Sequence, residues 1–417
     1  MALQSSGAIS LNDIAGEFGG SAPHSLNEYY GVATGIPGSG TIALSMFYGT
    51  SSIILPYNEL KVIPSDSANG ADDYFGGTVA VGNNVVVISC SNDDDRGANA
   101  GAAYIFNTSG GGQIKLTASD GVAGDIFGTG VAVGSSRVVA GARDKSGGGA
   151  AYIYDLNGGN QIKITASDRV SGDEYGAEVG VGNNVIAIGA PNHASSGISS
   201  SGAVYLYNLS GGNEVKITAD SPTNGAEFGS AIAIGQDSSH QLIVVGAYRR
   251  DKAYVYNLSG TLQFILEAHD INVQGPGDSM FYGQSVAIGG GCIAIGAYRD
   301  NNRTGAVYLY DLSGTLITKI TADDAATQRD FGNTVALGDD KLIVGSSLDG
   351  TNGGLFAGSV YTFDLSGNQL QKMYPSDGGA NWLYGSSVAL GSGKVIVGSP
   401  GGNGALGWGA AYFYDIT

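Results

Sequence analysis

Short apolar runs and glycine-rich polar stretches alternate along the chain from Glu59 onward, and the alternation has a period. An aromatic residue followed by glycine recurs at Phe75-Gly76, Phe127-Gly128, Tyr175-Gly176, Phe228-Gly229, Tyr282-Gly283, Phe331-Gly332 and Tyr384-Gly385, at intervals of 52, 48, 53, 54, 49 and 53 residues. A fixed period of this size marks a repeat architecture. Four apolar patterns follow one another inside each unit. The first is Val131-Ala132-Val133 or Ile232-Ala233-Ile234, with Ala or Gly in the middle of every copy, as suits a strand crowded near an axis. The second is an unbroken run such as Val185-Ile186-Ala187-Ile188-Gly189-Ala190, which implies burial on both faces.

The third pattern alternates, as in Ala151-Tyr152-Ile153-Tyr154. Tyr or Phe fills two same-face positions in every unit, from Tyr104 and Phe106 to Tyr412 and Tyr414. Period two places this pair on one face, where it can pack on the next sheet. Its recurrence in every unit reads as core packing rather than as a sugar platform. The fourth pattern, Gln161-Ile162-Lys163-Ile164-Thr165, suits an outer edge strand with one wet face. Asp155-Leu156-Asn157-Gly158 and Asn208-Leu209-Ser210-Gly211 join the third and fourth with hairpin chemistry. The Asn208 and Asn257 sequons therefore read as turns, since Asp takes the same place in other units.

These patterns predict an all-β fold over residues 53–417: a seven-bladed β-propeller of four-stranded antiparallel blades. The last unit stops after its third strand, at Tyr412-Phe413-Tyr414. The missing fourth lies at the other end, as Glu59-Leu60-Lys61-Val62-Ile63-Pro64-Ser65-Asp66. The N-terminal strand is thus expected to complete the last blade and leave the ring without a free edge.

Composition narrows the function. The formal charge of −18 repels phosphate backbones and argues against nucleic acid. No apolar run reaches the length of a membrane span, so no membrane insertion is expected. Met1-Ala2-Leu3-Gln4-Ser5-Ser6 lacks the basic and apolar regions of a secretory signal. Cys90 and Cys292 sit in apolar runs and read as buried free thiols.

Tyr175-Gly176 followed by Gly189-Ala190-Pro191 resembles the FG-GAP repeat of integrin α-subunit propellers, and the resemblance extends over residues 53–417 with all seven units contributing. Calcium-binding relatives carry an Asp-rich loop between strands one and two. Here that loop is only Gly82-Asn83-Asn84 or Gly134-Ser135-Ser136, too poor in carboxylates to cage a hard cation. No metal and no cofactor are expected.

Residues 1–52 do not fit the repeat and form a separate, short, irregular or helical segment. Ser10-Leu11-Asn12-Asp13 and Ser25-Leu26-Asn27-Glu28 look like capped helix starts. Leu11, Ile14 and Phe18 then share one helical face, and glycine stops each helix. Gly7-Ala8-Ile9-Ser10-Leu11-Asn12-Asp13-Ile14, Ser25-Leu26-Asn27-Glu28-Tyr29-Tyr30-Gly31 and Gly40-Thr41-Ile42-Ala43-Leu44-Ser45-Met46-Phe47-Tyr48-Gly49 resemble a segment near the start of structural proteins in tailed phages, particularly of marine bacteria. The resemblance implies a virion component, made in the host cytoplasm without a signal peptide and present in several copies. Leu11, Ile14, Phe18, Leu26, Tyr29, Tyr30, Phe47 and Tyr48 would attach it to other virion proteins.

In an antiparallel blade the two-to-three and four-to-one loops share a face. The two-to-three loops are long and differ between units, and such loops on a rigid scaffold are where recognition is expected. Eight of the 19 Lys and Arg fall in them: Arg96, Arg143, Lys145, Arg249, Arg250, Lys252, Arg299 and Arg303. Arg96, Arg143, Arg249, Arg250, Arg299 and Arg303 are the candidate ligand-binding residues. Arg143, Arg249 and Arg299 each follow the end of strand two and form a candidate cationic rim for carboxylates or phosphates of a host-surface glycan, or for a neighbouring acidic subunit or host protein. Asp144, Asp251 and Asp300 beside them supply the competing expectation of local neutralisation. An Asp after strand four, at Asp66, Asp120, Asp168, Asp220, Asp270, Asp323 and Asp377, reads as a turn cap.

No catalysis is expected. His24, His193, His240 and His269 lack metal-ligand spacing, and no nucleophile elbow or phosphate loop is present. A carboxylate pair drawn from different blades is the one hydrolytic arrangement this pattern leaves open. The favoured reading is a tail, baseplate or fibre protein with a host-recognising propeller. An architectural or head-decorating virion subunit, a bacterial surface adhesin and a glycan-cleaving enzyme are the alternatives.

Overall fold

The computed structural model describes residues 58–66, 73–235, 241–268, 279–338, 340–350, 354–402 and 408–416. The expectations for residues 1–52, including the attachment residues, lie outside these. The chain divides after Tyr57, and the second unit is Asn58–Thr417.

The described residues form seven four-stranded sheets, each antiparallel with its strands side by side in chain order. In the second blade the strands are Phe127–Val133, Arg137–Ala142, Ala150–Asp155 and Ile162–Ile164. The seventh blade is the exception in chain order: Leu60–Val62 lies beside Ala410–Asp415, followed by Lys394–Ser399 and Ser387–Gly391. Leu60 pairs with Phe413 and Val62 with Ala411, so the N-terminal strand closes the ring as the sequence predicts. Helix among the described residues is confined to single turns at Tyr248–Arg250 and Asp300–Arg303.

The core is a set of blade-to-blade seams. Tyr152 and Tyr154 meet Phe127 edge-on, with ring centroids 5.5 and 6.3 Å apart. This cluster packs against Val87, Ala103, Ile105 and Leu116 of the first blade, so the aromatic pair faces the preceding sheet and not the next one. That corrects the expected direction: period two shows that the pair shares a face but not which neighbouring blade that face meets. Such T-shaped contacts add to the large area each ring buries. The small residue in strand one faces the other way: Ala132 packs on the cluster holding Val179 and Val181 of the next blade. A larger side chain there would collide; a Cβ on Gly180 would come 3.0 Å from Ile232.

The motif glycines have a common cause. A Cβ on Gly141, at the end of strand two, would sit 1.8 Å from the carbonyl oxygen of Gly176, the glycine of the next blade's aromatic-Gly pair. The two backbones touch across the seam, and only glycine leaves the room. The same contact closes the ring, where a Cβ on Gly398 would lie 2.0 Å from the oxygen of Gly76.

Asn208 caps its turn by accepting from the backbone amides of Ser210 and Gly212. Cys90 and Cys292 are buried and unpaired.

Candidate functional site

Two loop systems leave the blades at opposite ends. The one-to-two loops touch one another around the axis, as where Asn83 donates to the Ser135 carbonyl. The two-to-three and four-to-one loops share the other end and carry all six candidate arginines.

A recurrent polar clasp underlies that face. The first strand-three tyrosine donates to the aspartate that follows strand four of the preceding blade: Tyr152 to Asp120 at 2.6 Å, Tyr205 to Asp168 at 2.6 Å and Tyr412 to Asp377 at 2.8 Å. The strand-four lysine opposite that tyrosine binds the same carboxylate, with Lys163–Asp120 at 2.6 Å, Lys216–Asp168 at 2.8 Å and Lys61–Asp377 at 2.7 Å. Burial works against the Asp120 charge, yet the Lys163 ammonium and the Tyr152 hydroxyl hold its carboxyl down to about 2. Asp66, Asp120, Asp168 and Asp377 are therefore blade-to-blade acceptors, which corrects the turn-cap reading at these four positions, while Asp270 lies outside the described residues. In the sixth blade Asp324, not Asp323, serves Tyr361 and Lys372, and Asp220 likewise stands one position early. Strand periodicity gave no view of a partner in the neighbouring blade.

Asp66, Asp93 and Asp95 bring carboxylate oxygens within 4.8 Å of one another. All three converge on Lys115 Nζ, at 2.7, 2.6 and 2.5 Å, so an ammonium takes the place a metal ion would need. Burial, then the adjacent Asp93, pushes the nearby Asp73 up to about 6. In the third blade His193 fills the corresponding loop position. Its Nδ1 lies 2.8 Å from Asp173 and its Nε2 2.7 Å from Lys216 Nζ, so both ring nitrogens are engaged.

The arginines are held one by one. Arg143 lies 3.7 Å from Asp144 and lines a cleft of about 330 Å³ with Tyr74 and Asn92. Arg249 donates to Glu227 rather than Asp251, and Arg250 to Thr223 and the Asn224 carbonyl. Arg303 forks onto Asp330 at 2.9 and 2.7 Å. Arg299 lies 3.9 Å over the Phe281 ring, while Asp300 is buried against Lys319 at 2.6 Å. Arg96 is exposed.

Two features were not singled out from the sequence. The residue before each aromatic-Gly pair is left-handed in all seven blades, with φ between +51° and +62° at Tyr74, Ile126, Glu174, Glu227, Phe281, Asp330 and Leu383. Each such residue costs about 1 kcal/mol. Their common place before the repeat's own marker was the available signal. The second feature is Glu178, the residue just before strand one of the third blade, Val179–Val181. It lines the axial cavity of about 480 Å³ that all seven first strands enclose.

Burial pushes the Glu178 carboxyl up from 4.5 to about 8. The unfolded chain therefore gives up this proton first as pH rises, and stability falls between pH 4.5 and about 8. Glu178→Gln is expected to remove that decline and to stabilise the protein by about 1 kcal/mol or more above the window, after allowance for solvent in the channel. Urea midpoints of both proteins on either side of the window check this; identical pH dependence would contradict it.

The comparisons agree with this geometry. The FG-GAP repeat family matches residues 58–106, 111–154, 159–207, 212–261, 275–310, 315–363 and 368–414. Six of the seven matches start at or just before a fourth strand and run through the next blade's third, so the sequence unit is offset by one strand from the blade; the fifth, 275–310, starts after the fourth strand Leu262–Glu267. A solved structure titled "Streptogramin B lyase structure" superposes with a TM-score of 0.61 at 10% identity, covering 88% of this chain and 100% of that one. At that identity the likeness shows the fold alone. No curated protein matches the sequence.

Proposed function

The chain belongs to the FG-GAP repeat family, and on that premise we propose that its propeller is a binding and adhesion module whose loop-rich face meets the partner. We place it in the tail, baseplate or fibre apparatus of a phage particle, with residues 1–52 as the attachment segment. The phage assignment is supported by the resemblance of residues 1–52 to virion structural proteins. The binding assignment is carried by one observation: strands and their hairpin turns repeat from blade to blade, while the two-to-three loops do not. Repetition is what the scaffold needs, and departure from it at one end of a closed ring is what recognition needs. The reading of binding without catalysis is supported by His193, whose two nitrogens are already committed to Asp173 and Lys216.

Particles carrying Arg143→Ser, Arg249→Ser and Arg299→Ser together are expected to adsorb to host cells at least about tenfold more slowly, as lost charge-assisted contacts imply. Unchanged adsorption would remove the loop face as the recognition surface. A chain lacking residues 1–52 should stay folded yet be missing from purified particles.

A further inference from the structure

In a repeat protein, what recurs in every unit serves the fold, so an unshared feature calls for another cause. The residue that follows strand two is Ser91, Arg143, Pro191, Ser347 or Pro400 in five blades, but Tyr248 and Tyr298 in the fourth and fifth. Between these two tyrosines stands Phe281, the only aromatic besides Tyr74 among the seven left-handed residues before the aromatic-Gly pairs. Tyr248 stacks on Phe281 with centroids 4.9 Å apart and planes 28° apart, and Phe281 meets Tyr298 at 5.3 Å. The structural aromatics Tyr152, Tyr205 and Tyr308 are fully buried; these three rings are only partly so. They form a surface cluster that no seam requires.

Two exposed guanidinium groups lie on it. Arg299 covers the Phe281 ring at 3.9 Å, and Arg249 lies 5.3 Å over Tyr248. Glu227 accepts from both the Tyr248 hydroxyl and Arg249. No carboxylate among the described residues pairs with Arg299, although Asp300 is adjacent in sequence and salt-bridged to Lys319. The Phe281 contact anchors the Arg299 guanidinium, and the side chain is exposed, so the group is open to a carboxylate.

We propose that Arg299, with Phe281, Tyr298 and the Tyr248–Arg249–Glu227 group, binds a single carboxylated sugar residue of the uronic acid class. This rests on the propeller being a binding module and names the ligand of one sector of its loop face. The sugar carboxylate takes the Arg299 fork. The apolar C–H face of the sugar ring lies along Tyr298, and a ring hydroxyl donates to Glu227. The same Glu227, within a chain of net charge −18, disfavours a peptide carrying several carboxylates.

The test titrates the purified full-length chain with a disaccharide ending in glucuronate and with its glucose-ended counterpart. The acid is expected to bind at least about tenfold tighter, and more weakly as salt is added. Arg299→Ser should abolish the preference, and Arg299→Lys should keep part of it. Equal affinity for the two sugars, no binding of either, or a glutamate-rich peptide competing for Arg299 in their place would overturn the proposal. Arg299 is exposed, so these variants leave the fold intact, which circular dichroism verifies. Glucuronate affinity with unchanged particle adsorption would uphold this site and sink the recognition role. Slowed adsorption without glucuronate affinity would do the opposite.

Discussion

A chain lacking Asn58–Asp66 is expected to lose about 5 kcal/mol or more of stability, enough to unfold a marginal domain. That segment buries Val62 in the seam with the first blade and supplies the fourth strand of the seventh. Lys61 bridges Asp377 at 2.7 Å and lies 4.7 Å over the Trp382 ring. Glu59 accepts from Ser376 and from the buried Tyr414 hydroxyl, and Asn58 donates to Asp415. Removing the segment exposes an apolar seam, takes the acceptor from the Tyr414 hydroxyl proton while the Tyr384 hydroxyl still donates to it, and bares the edge of Ala410–Asp415 to other chains. Urea unfolding and sedimentation would show a lowered midpoint and self-association. Reattaching the same nine residues through a short turn after Thr417 should restore both, because Asn58 already reaches Asp415. An unchanged midpoint in the deleted chain would mean that the ring does not depend on this strand.

The second large effect lies in the sixth blade. Lys372→Met should cost about 3 kcal/mol, the usual penalty for leaving a buried charge without its partner. Asp349 has a side chain 0% exposed and holds Lys372 at 2.5 Å, Ser359 at 2.7 Å and Tyr361 at 3.2 Å. Its other cation, Arg329, stands off at 3.5 Å. The double change Lys372→Met with Asp349→Asn should recover most of the loss, since the buried charge then disappears with its partner. The protein already carries a neutral version of this clasp. In the fourth blade Ile265 lies opposite Tyr254 where the other blades have lysine, Ser221 holds the aspartate position, and Tyr254 remains 4% exposed. Equal stability of the single and double variants would show that the coupling through Asp349 is absent.

Much of this molecule follows from local pattern. Strand identity and order were legible because each depends on periodicity within a few residues, unbroken in Val185–Ala190 and alternating in Ala151–Tyr154; which neighbouring sheet the Tyr152–Tyr154 face meets was not. Ring closure was legible because a unit missing its last strand at one end and a strand missing its unit at the other imply each other. The turn role of Asn208 was legible because its partners are two and four residues away.

What the sequence by itself determined is thus the repeat, the seven blades and the end that bears the variable loops. Only the tertiary structure decided which groups meet across the seams. It turned a row of aspartates into acceptors for Tyr152, Tyr205 and Tyr412, filled the Asp66–Asp93–Asp95 cluster with Lys115, and gave Arg249 to Glu227 instead of Asp251. The reason is one of range. A strand's pattern records which side is buried, but a hydrogen bond or ion pair depends on side chains 22 to 48 residues apart, brought to contact by the fold of the ring.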